Sequence, residues 1–462
     1  MPTEQFLIDA PVIADVDVLV CGGGPAGIAA GLAAARQGAR TMIVEQQGCL
    51  GGVATSSLIG TWFGSYSRDG RFPVIEGIFK EIVDQLVAEG AAKPPTNDLA
   101  GGSAHSGYAP WHRGTVPFEF EAAKRLFDRL VLDAGITLRY FTTALYPKIT
   151  DSRIDGLFVA SKAGIEFIRA AAVVDATGDA DVAYRAHCPM LIGLEEEGHR
   201  GWMSPGAMSF VLEDVDAKAF GDYCKAGDFR FRDLIGRLRE QDAWPFSDNI
   251  FIAFELPNPK QYYVKVSPTT HEQGFDGTDP DVLTLGMTNG RRAVDELLGI
   301  LREFFPGFAH ARLTQTAPVI GVRNTRRIVG EYQVTVSDAR NGRFFDDTVA
   351  LTGYHWDMAT PGSTEQRMLH KVEIARPYAA IPYSCLIPQS VDNLLAPGRA
   401  ISAEWDVLGP FRIMPAAFAM GQAAGTAAAM AADHRIAMLA VDVPTLRDNL
   451  RNQGAIVDGP ED

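Results

Sequence analysis

The sequence predicts an α/β chain: a domain built on parallel sheet, opening with a βαβ unit and interrupted by an inserted α+β domain. Three observations predict it. The stretch DVLVCGGGPAGIAAGLAAARQGARTMIVE, from Asp17 to Glu45, joins an apolar run, a glycine turn, an alanine-rich run and a second apolar run. Two later segments, AAVVDATGDADVAYRA and AIPYSCLIPQSVDNLLAPGRAIS, again pair an apolar strand with a glycine turn. Between them, Arg185 to roughly Asp347 has a different texture, with alternating strands and one long helical pattern.

In the opening unit, Val16, Val18, Leu19, Val20 and Cys21 suit a parallel strand buried on both faces. Gly22, Gly24 and Gly27 fit G-x-G-x-x-G where strand must become helix. Gly22 permits the tight turn, Gly24 lets a pyrophosphate approach the backbone, and Gly27 lets the helix pack on the strand. Ala26 to Gln37 is predicted helical, with Gly38 as its C′ residue. The free N–H groups at the helix start, with the positive end of its dipole, favour phosphate. Thr41 to Val44 is a second strand, ending in Glu45 eighteen residues beyond Gly27. A carboxylate there can accept hydrogen bonds from both hydroxyls of an adenosine ribose. Strand, glycines, helix, strand and acid in this order make a Rossmann-type dinucleotide site.

The length of 462 residues suits two domains, or one nucleotide domain carrying a large insertion. The expected division is 1–184 for the first part of the nucleotide domain, 185–347 for a substrate domain, and 348–462 for the return. A net charge of −15 argues against nucleic acid or an anionic membrane as partner and leaves a small-molecule substrate, with homo-oligomer formation left open. The five cysteines, Cys21, Cys49, Cys188, Cys224 and Cys385, lack C-x-x-C spacing, which suits a reducing compartment without a disulfide framework or a cysteine zinc site. The acidic N-terminus lacks a basic n-region, and the apolar segments are broken by glycine or polar residues. A soluble, cytoplasmic protein is expected.

The remaining elements follow in order. In QQGCLGGVATSSLIGTWFG, the pair Gly51–Gly52 leaves room for backbone beside a cofactor, and Cys49 reads as a small packing residue. Gly77 to Glu89 is an amphipathic helix closed by Gly90. Lys93 to Gly114 has no periodicity, and His105 and His112 within it read as solvated loop histidines. Glu119 to Asp133 is a helix capped by Gly135, followed by a small β excursion over 137–171. Ile250–Phe254 and Tyr262–Val266 read as a hairpin around Pro257-Asn258-Pro259. Asp279-Pro280 is an N-cap with proline at the first helical position, starting a helix through Phe304 that Pro306-Gly307 stops. Asn393 to Ala396 is a strand ending in Gly398-Arg399, and a small-residue helix starts near Met414–Pro415. Gly421 and Gly425 within it read as close helix packing.

With GGGPAG and Glu45, LGGVAT, VVDATGDADVA, IPYSCLIPQSVDNLLAPGRAIS, RIMPAAFAMGQAAG and GVRNTRRIVGEY in place, the chain resembles the FAD-dependent oxidoreductase family of the glutathione-reductase-like, two-dinucleotide-binding flavoproteins. The motifs span nearly the whole chain. They are specific for cofactor and fold and poorly specific for substrate. The resemblance implies FAD held by Gly22, Gly23, Gly24, Pro25, Ala26 and Gly27, by Glu45 and Gln46, and by Gly52, Val53, Ala54 and Thr55. It also implies the strand at Ala144, Asp179, Gly398 and Arg399, with the helix start at Met414 facing the flavin pyrimidine. Ala54 stands where the first redox cysteine of the disulfide reductases would be, which disfavours that chemistry. One departure matters: where the family tends to have Tyr-Pro-x-Asp-x-His, this chain has Tyr354-His355-Trp356-Asp357-Met358-Ala359.

The expected reaction is oxidation of a small organic substrate by hydride transfer to the flavin, since no second G-x-G-x-x-G provides an NAD(P)H domain. An NAD(P)H-dependent monooxygenase or reductase is the alternative, and a flavoprotein subunit with structural FAD is another. His355 is the first choice of base, against a plain packed or surface histidine. Arg412 either binds a substrate carboxylate or polarises the flavin, or is a structural ion pair. Tyr354, Trp356 and Asp357 are candidates by position. Arg323, Arg326 and Arg327 either grip an acid or form a strand surface with alternating charge, and the second reading is preferred.

Overall fold

The computed structural model describes residues 7–95, 112–258, 260–266, 275–359, 366–368 and 374–460. His105 lies outside them.

The opening strand, Val12–Cys21, is buried along its C-terminal half. It pairs in parallel with Thr41–Val44 on one side and with Gly164–Asp175 on the other. Thr137–Arg139 extends the sheet beyond Thr41–Val44, and the short strand Leu394–Leu395 joins Gly164–Asp175 in parallel register. The expected α/β class is thus what forms. The excursion differs in one respect. A separate hairpin and a separate returning strand were expected, whereas Gly164–Asp175 is one strand of twelve residues. Its first half pairs antiparallel with Arg153–Ser161, which pairs with Thr143–Thr150. No glycine or proline falls between Ile165 and Val174 to break the strand between its two roles.

The first helix, Pro25–Arg36, keeps its proline at the first turn and ends at Gln37, with Gly38 left-handed at φ +87°. Ten of its twelve residues are buried, because the long helix Met414–His434 covers it. There the expected close packing of small residues is realised. A Cβ on Gly421 would overlap the carbonyl oxygen of Ala26, and one on Gly425 that of Ala30. Two helices therefore cross backbone to backbone, and a larger side chain at either glycine has nowhere to go.

The section between the nucleotide segments forms a four-stranded antiparallel sheet, in the order Ala253–Glu255, Tyr262–Val266, Met208–Glu213, Arg312–Thr316. The hairpin forms, with its first strand shorter than read. Asp279 caps the helix Pro280–Phe304 as expected, its carboxylate accepting from Asp281 N at 2.8 Å. Strand alternation gives this sheet two faces. Met208 packs on Gly290 of that helix, and Tyr262 meets the Phe220 ring edge-on at 5.4 Å. The other face carries Ser209, Tyr263, Lys265 and, opposite Tyr263, Phe254. That face turns to the nucleotide-binding layer, where Phe254 meets Phe63 at 5.6 Å between ring centroids.

The arginines of GVRNTRR are not a surface pattern. Arg327 is fully buried and donates to both oxygens of Glu196, at 2.6 and 2.8 Å, and to the carbonyls of Gly193 and Ala403. Arg326 pairs with Asp181 at 2.9 Å, with its guanidinium over the Tyr184 ring. The reason lies in tertiary structure: the strand Arg326–Ile328 is pinned beneath Met190–Leu194 and the segment at Ala403, so its side chains meet protein rather than water. No helix among the described residues is long and apolar enough to cross a membrane.

Candidate active site

At Gly22 and Gly27 the glycine turn is built by contacts that allow nothing larger. Gly22 adopts φ +102°, and its N–H bonds Val44 O at 2.8 Å. A Cβ on Gly27 would overlap the Gly22 carbonyl oxygen. Gly24 faces open space, with no atom within 4 Å of where its Cβ would stand. Neither Gly24, capping the first helix, nor Ile413, capping the long one, has a side-chain cap hydrogen bond. The N–H donors at both helix starts are thus not taken up by side-chain caps. Gly398, at φ +93°, lies against Ala26 and Ala417, so both helix starts and the Gly398 turn converge.

Glu45 is buried at the end of its strand, where Gly23 N donates to Oε2 at 2.6 Å and Gln47 N to Oε1 at 2.7 Å. Burial pushes its pKa up, while the backbone N–H groups of Gln47, Gly23 and Gln46 oppose that rise. Gln46 beside it is exposed. Gly52, Val53 and Ala54 form a 3-10 turn docked on the glycine loop through Gly51 N to Gly23 O at 2.8 Å. The Thr55 hydroxyl is spent inside this turn, on Leu50 O at 2.6 Å. Cys49 sits beside it, its sulfur 3.6 Å from Ser56 Oγ. Ala144 is buried and gives its carbonyl to Arg185 Nη1 at 2.8 Å.

Asp179 and Arg399 meet. Arg399 Nη2 bonds Asp179 Oδ1 at 2.5 Å, Nε bonds Gly178 O at 2.9 Å, and Nη1 bonds Val322 O at 2.6 Å. This latch ties two nucleotide segments to the GVRNTRR stretch. Beneath it lies Asp175, which sequence reasoning passed over. Fully buried, it accepts from Thr177 Oγ1 at 2.6 Å and Ala183 N at 2.9 Å, holding the Thr177-Gly178-Asp179 turn. Burial raises its pKa to about 6.

The catalytic candidates gather where Tyr354–Asp357 meets the turn before the long helix. Tyr354 abuts Gly64, and its carbonyl accepts from Arg68 Nε at 3.1 Å. His355 is half-buried beside it, with ring centroids 5.9 Å apart. Arg412 donates to Asp357 O at 2.8 Å and to Met358 Sδ at 3.4 Å. Burial depresses its pKa, and nearby Asp357 opposes that. His112 is no solvated loop residue: it is 8% exposed, packs on Phe63 at 4.8 Å and lies parallel to Tyr354 at 6.5 Å. The aromatic-lined face beneath the antiparallel sheet draws it in.

Lys265 was also missed. It projects from the sheet face that carries Tyr263 and Phe254 toward this cluster. Burial, with the charges of Arg323 and Arg412, holds its ammonium down at about 8, while Asp357 and Asp248 pull the other way. The signal in the sequence was a lone lysine in YYVKV, an apolar strand that leaves it no plain solvent face. A surface groove beside Asp15, Arg40 and Arg153 lies elsewhere, at the opposite strand ends. Ligands of parallel α/β sheets bind at the carboxyl ends of the strands, where the glycine turn is.

Fold and glycine turn define an α/β dinucleotide-binding protein. The chain belongs to the FAD dependent oxidoreductase family, whose model matches residues 17–450. FAD is its cofactor. The open cradle at Gly24, the two uncapped helix starts and buried Glu45 fit that group. No curated protein matches the chain. Among solved structures it is similar to a geranylgeranyl bacteriochlorophyll reductase-like protein from Thermoplasma acidophilum, at 13% identity over 95% of this chain and 83% of that one, TM-score 0.46. It is also similar to the myxobacterial chondrochloren halogenase, at 13% identity, 95% and 79% coverage and TM-score 0.48. A third is p-nitrophenol 4-monooxygenase from Pseudomonas putida, at 10% identity, 97% and 91% coverage and TM-score 0.47.

Proposed function

We propose that this FAD-dependent oxidoreductase oxidises a small organic molecule, with Lys265 accepting the proton that the substrate gives up. FAD, when bound, supplies a two-electron, hydride-accepting centre. Gly22 to Gly27, Glu45, the Gly52–Thr55 turn and the Gly398 and Met414 segments would hold it. The protein's own task is to orient the substrate and move a proton from its hydroxyl or amine. Lys265 carries the reading: a lysine brought down to about 8 is neutral often enough near neutral pH to act as base. It thereby displaces His355 as first choice. Tyr354, His112 and Phe63 would form the apolar wall against which a substrate ring or chain lies. The small aromatic-lined face and the charge of −15 support a small-molecule partner over nucleic acid. The βαβ unit followed by an antiparallel excursion supports the wider glutathione-reductase-like grouping.

Anaerobic titration of the holoprotein tests this. Bleaching of the oxidised flavin band by an organic donor, and not by NADH or NADPH, is expected. Rapid bleaching by NAD(P)H alone would replace the reading with the monooxygenase or reductase alternative.

A further inference from the structure

We propose that the substrate is a small organic carboxylate, its anionic group held by Arg412 and Arg323 under the sheet face that bears Lys265. This deepens the reading above and rests on it.

The argument is one of unanswered charge. Arg412 spends its donors on a carbonyl and a thioether. Arg323 Nη1 donates to Pro205 O at 2.8 Å. Arg68 donates to the Tyr354 carbonyl, and its Nη2 is buried without a partner among the described residues. Among the described residues, none of these three, nor Lys265, has a carboxylate within ion-pair distance. The acids that face Lys265 are Asp357 and Asp248, and the cations are Arg323 and Arg412. Among the described residues cations outnumber acids here, in a chain whose acids exceed its bases overall. Elsewhere the protein answers its buried guanidiniums with carboxylates: Glu196 for Arg327, Asp179 for Arg399. Sequestered charge without a counter-charge is costly, so a cluster left this way is completed by an anion from outside. Arg412 lies two residues before the long helix, whose uncapped start adds positive potential nearby. A planar guanidinium matches a carboxylate with two parallel hydrogen bonds. Ser209, directly opposite Lys265 in the sheet, is buried with its hydroxyl unbonded among the described residues, leaving one further donor on this face.

The test uses the oxidised holoprotein and reads the flavin difference spectrum, which needs no turnover. Malonate is titrated against malonamide, its uncharged counterpart of like shape. Malonate is expected to give a saturable perturbation and malonamide none. Arg412→Gln should raise the malonate Kd tenfold or more. Arg323→Gln serves the same purpose should the first variant lose FAD. The wild-type Kd should weaken severalfold as pH rises from 7 to 9.5, because an anion beside Lys265 binds its protonated form better. Lys265→Met should flatten that dependence. Equal effects of malonate and malonamide, no effect of either, or a malonate response indifferent to all three substitutions would overturn the proposal. A holoprotein that binds malonate in this way yet is bleached by no donor would instead overturn the oxidation reading.

Discussion

Replacing Lys265 by methionine separates what this residue does for the fold from what it does for the reaction. Its ammonium falls from 10.5 to about 8 in the folded chain, which at ~1.4 kcal/mol per tenfold is about 3 kcal/mol against the charged form. Since the folded value lies below the unfolded one, the penalty is complete below pH 8 and is relieved as pH rises from 8 to 10.5. Methionine has similar length, packs well in irregular apolar space and carries no charge. Lys265→Met should therefore be the more stable protein at pH 7, by up to about 3 kcal/mol, and the advantage should shrink below ~1 kcal/mol by pH 10. Urea unfolding of both proteins at saturating FAD measures this. Steady-state oxidation should fall by ~100-fold or more, the usual scale for loss of a base, and its rise with pH near 8 should vanish. A variant less stable at pH 7, or a stability gap that does not move with pH, would refute a desolvated lysine. Retained activity would refute the base.

Other perturbations probe the frame. Gly421→Ala places a methyl on the Ala26 carbonyl; a loss of about 1–3 kcal/mol and a lower flavin-to-protein absorbance ratio should follow, since the first helix must shift. Arg327→Met strands the Gly193 and Ala403 carbonyls and should cost about 3 kcal/mol by urea unfolding, with Lys at this position failing to restore it, because its point charge cannot replace the bidentate fork. Asp175, raised from 3.8 to about 6, favours the folded state most below pH 3.8, and that contribution is lost as pH rises through 6. The stability of Asp175→Asn relative to wild type should accordingly improve by about 2 kcal/mol from pH 4 to pH 7, whatever constant offset its altered hydrogen bonds impose.

What the sequence determined by itself was everything written in short-range order. The turn at Gly22–Gly27, the strand end at Glu45, the cap at Asp279 and the helix start at Met414 each rest on residues a few positions apart, whose backbone preferences act locally. The glycines at 421 and 425 were legible for the same reason: a missing side chain at helical spacing announces a close neighbour. Tertiary structure alone decided which charges face one another. Arg327 meets Glu196 across more than a hundred residues, and Lys265 comes up against Arg323 and Arg412 through the folding of the antiparallel sheet onto the start of the last helix. His112 looked solvated because its segment is rich in proline, glycine and serine and has no periodicity, yet Phe63 and Tyr354 bury it. Local propensity is a property of the chain, whereas desolvation and pairing of charge depend on long-range contacts that no spacing encodes.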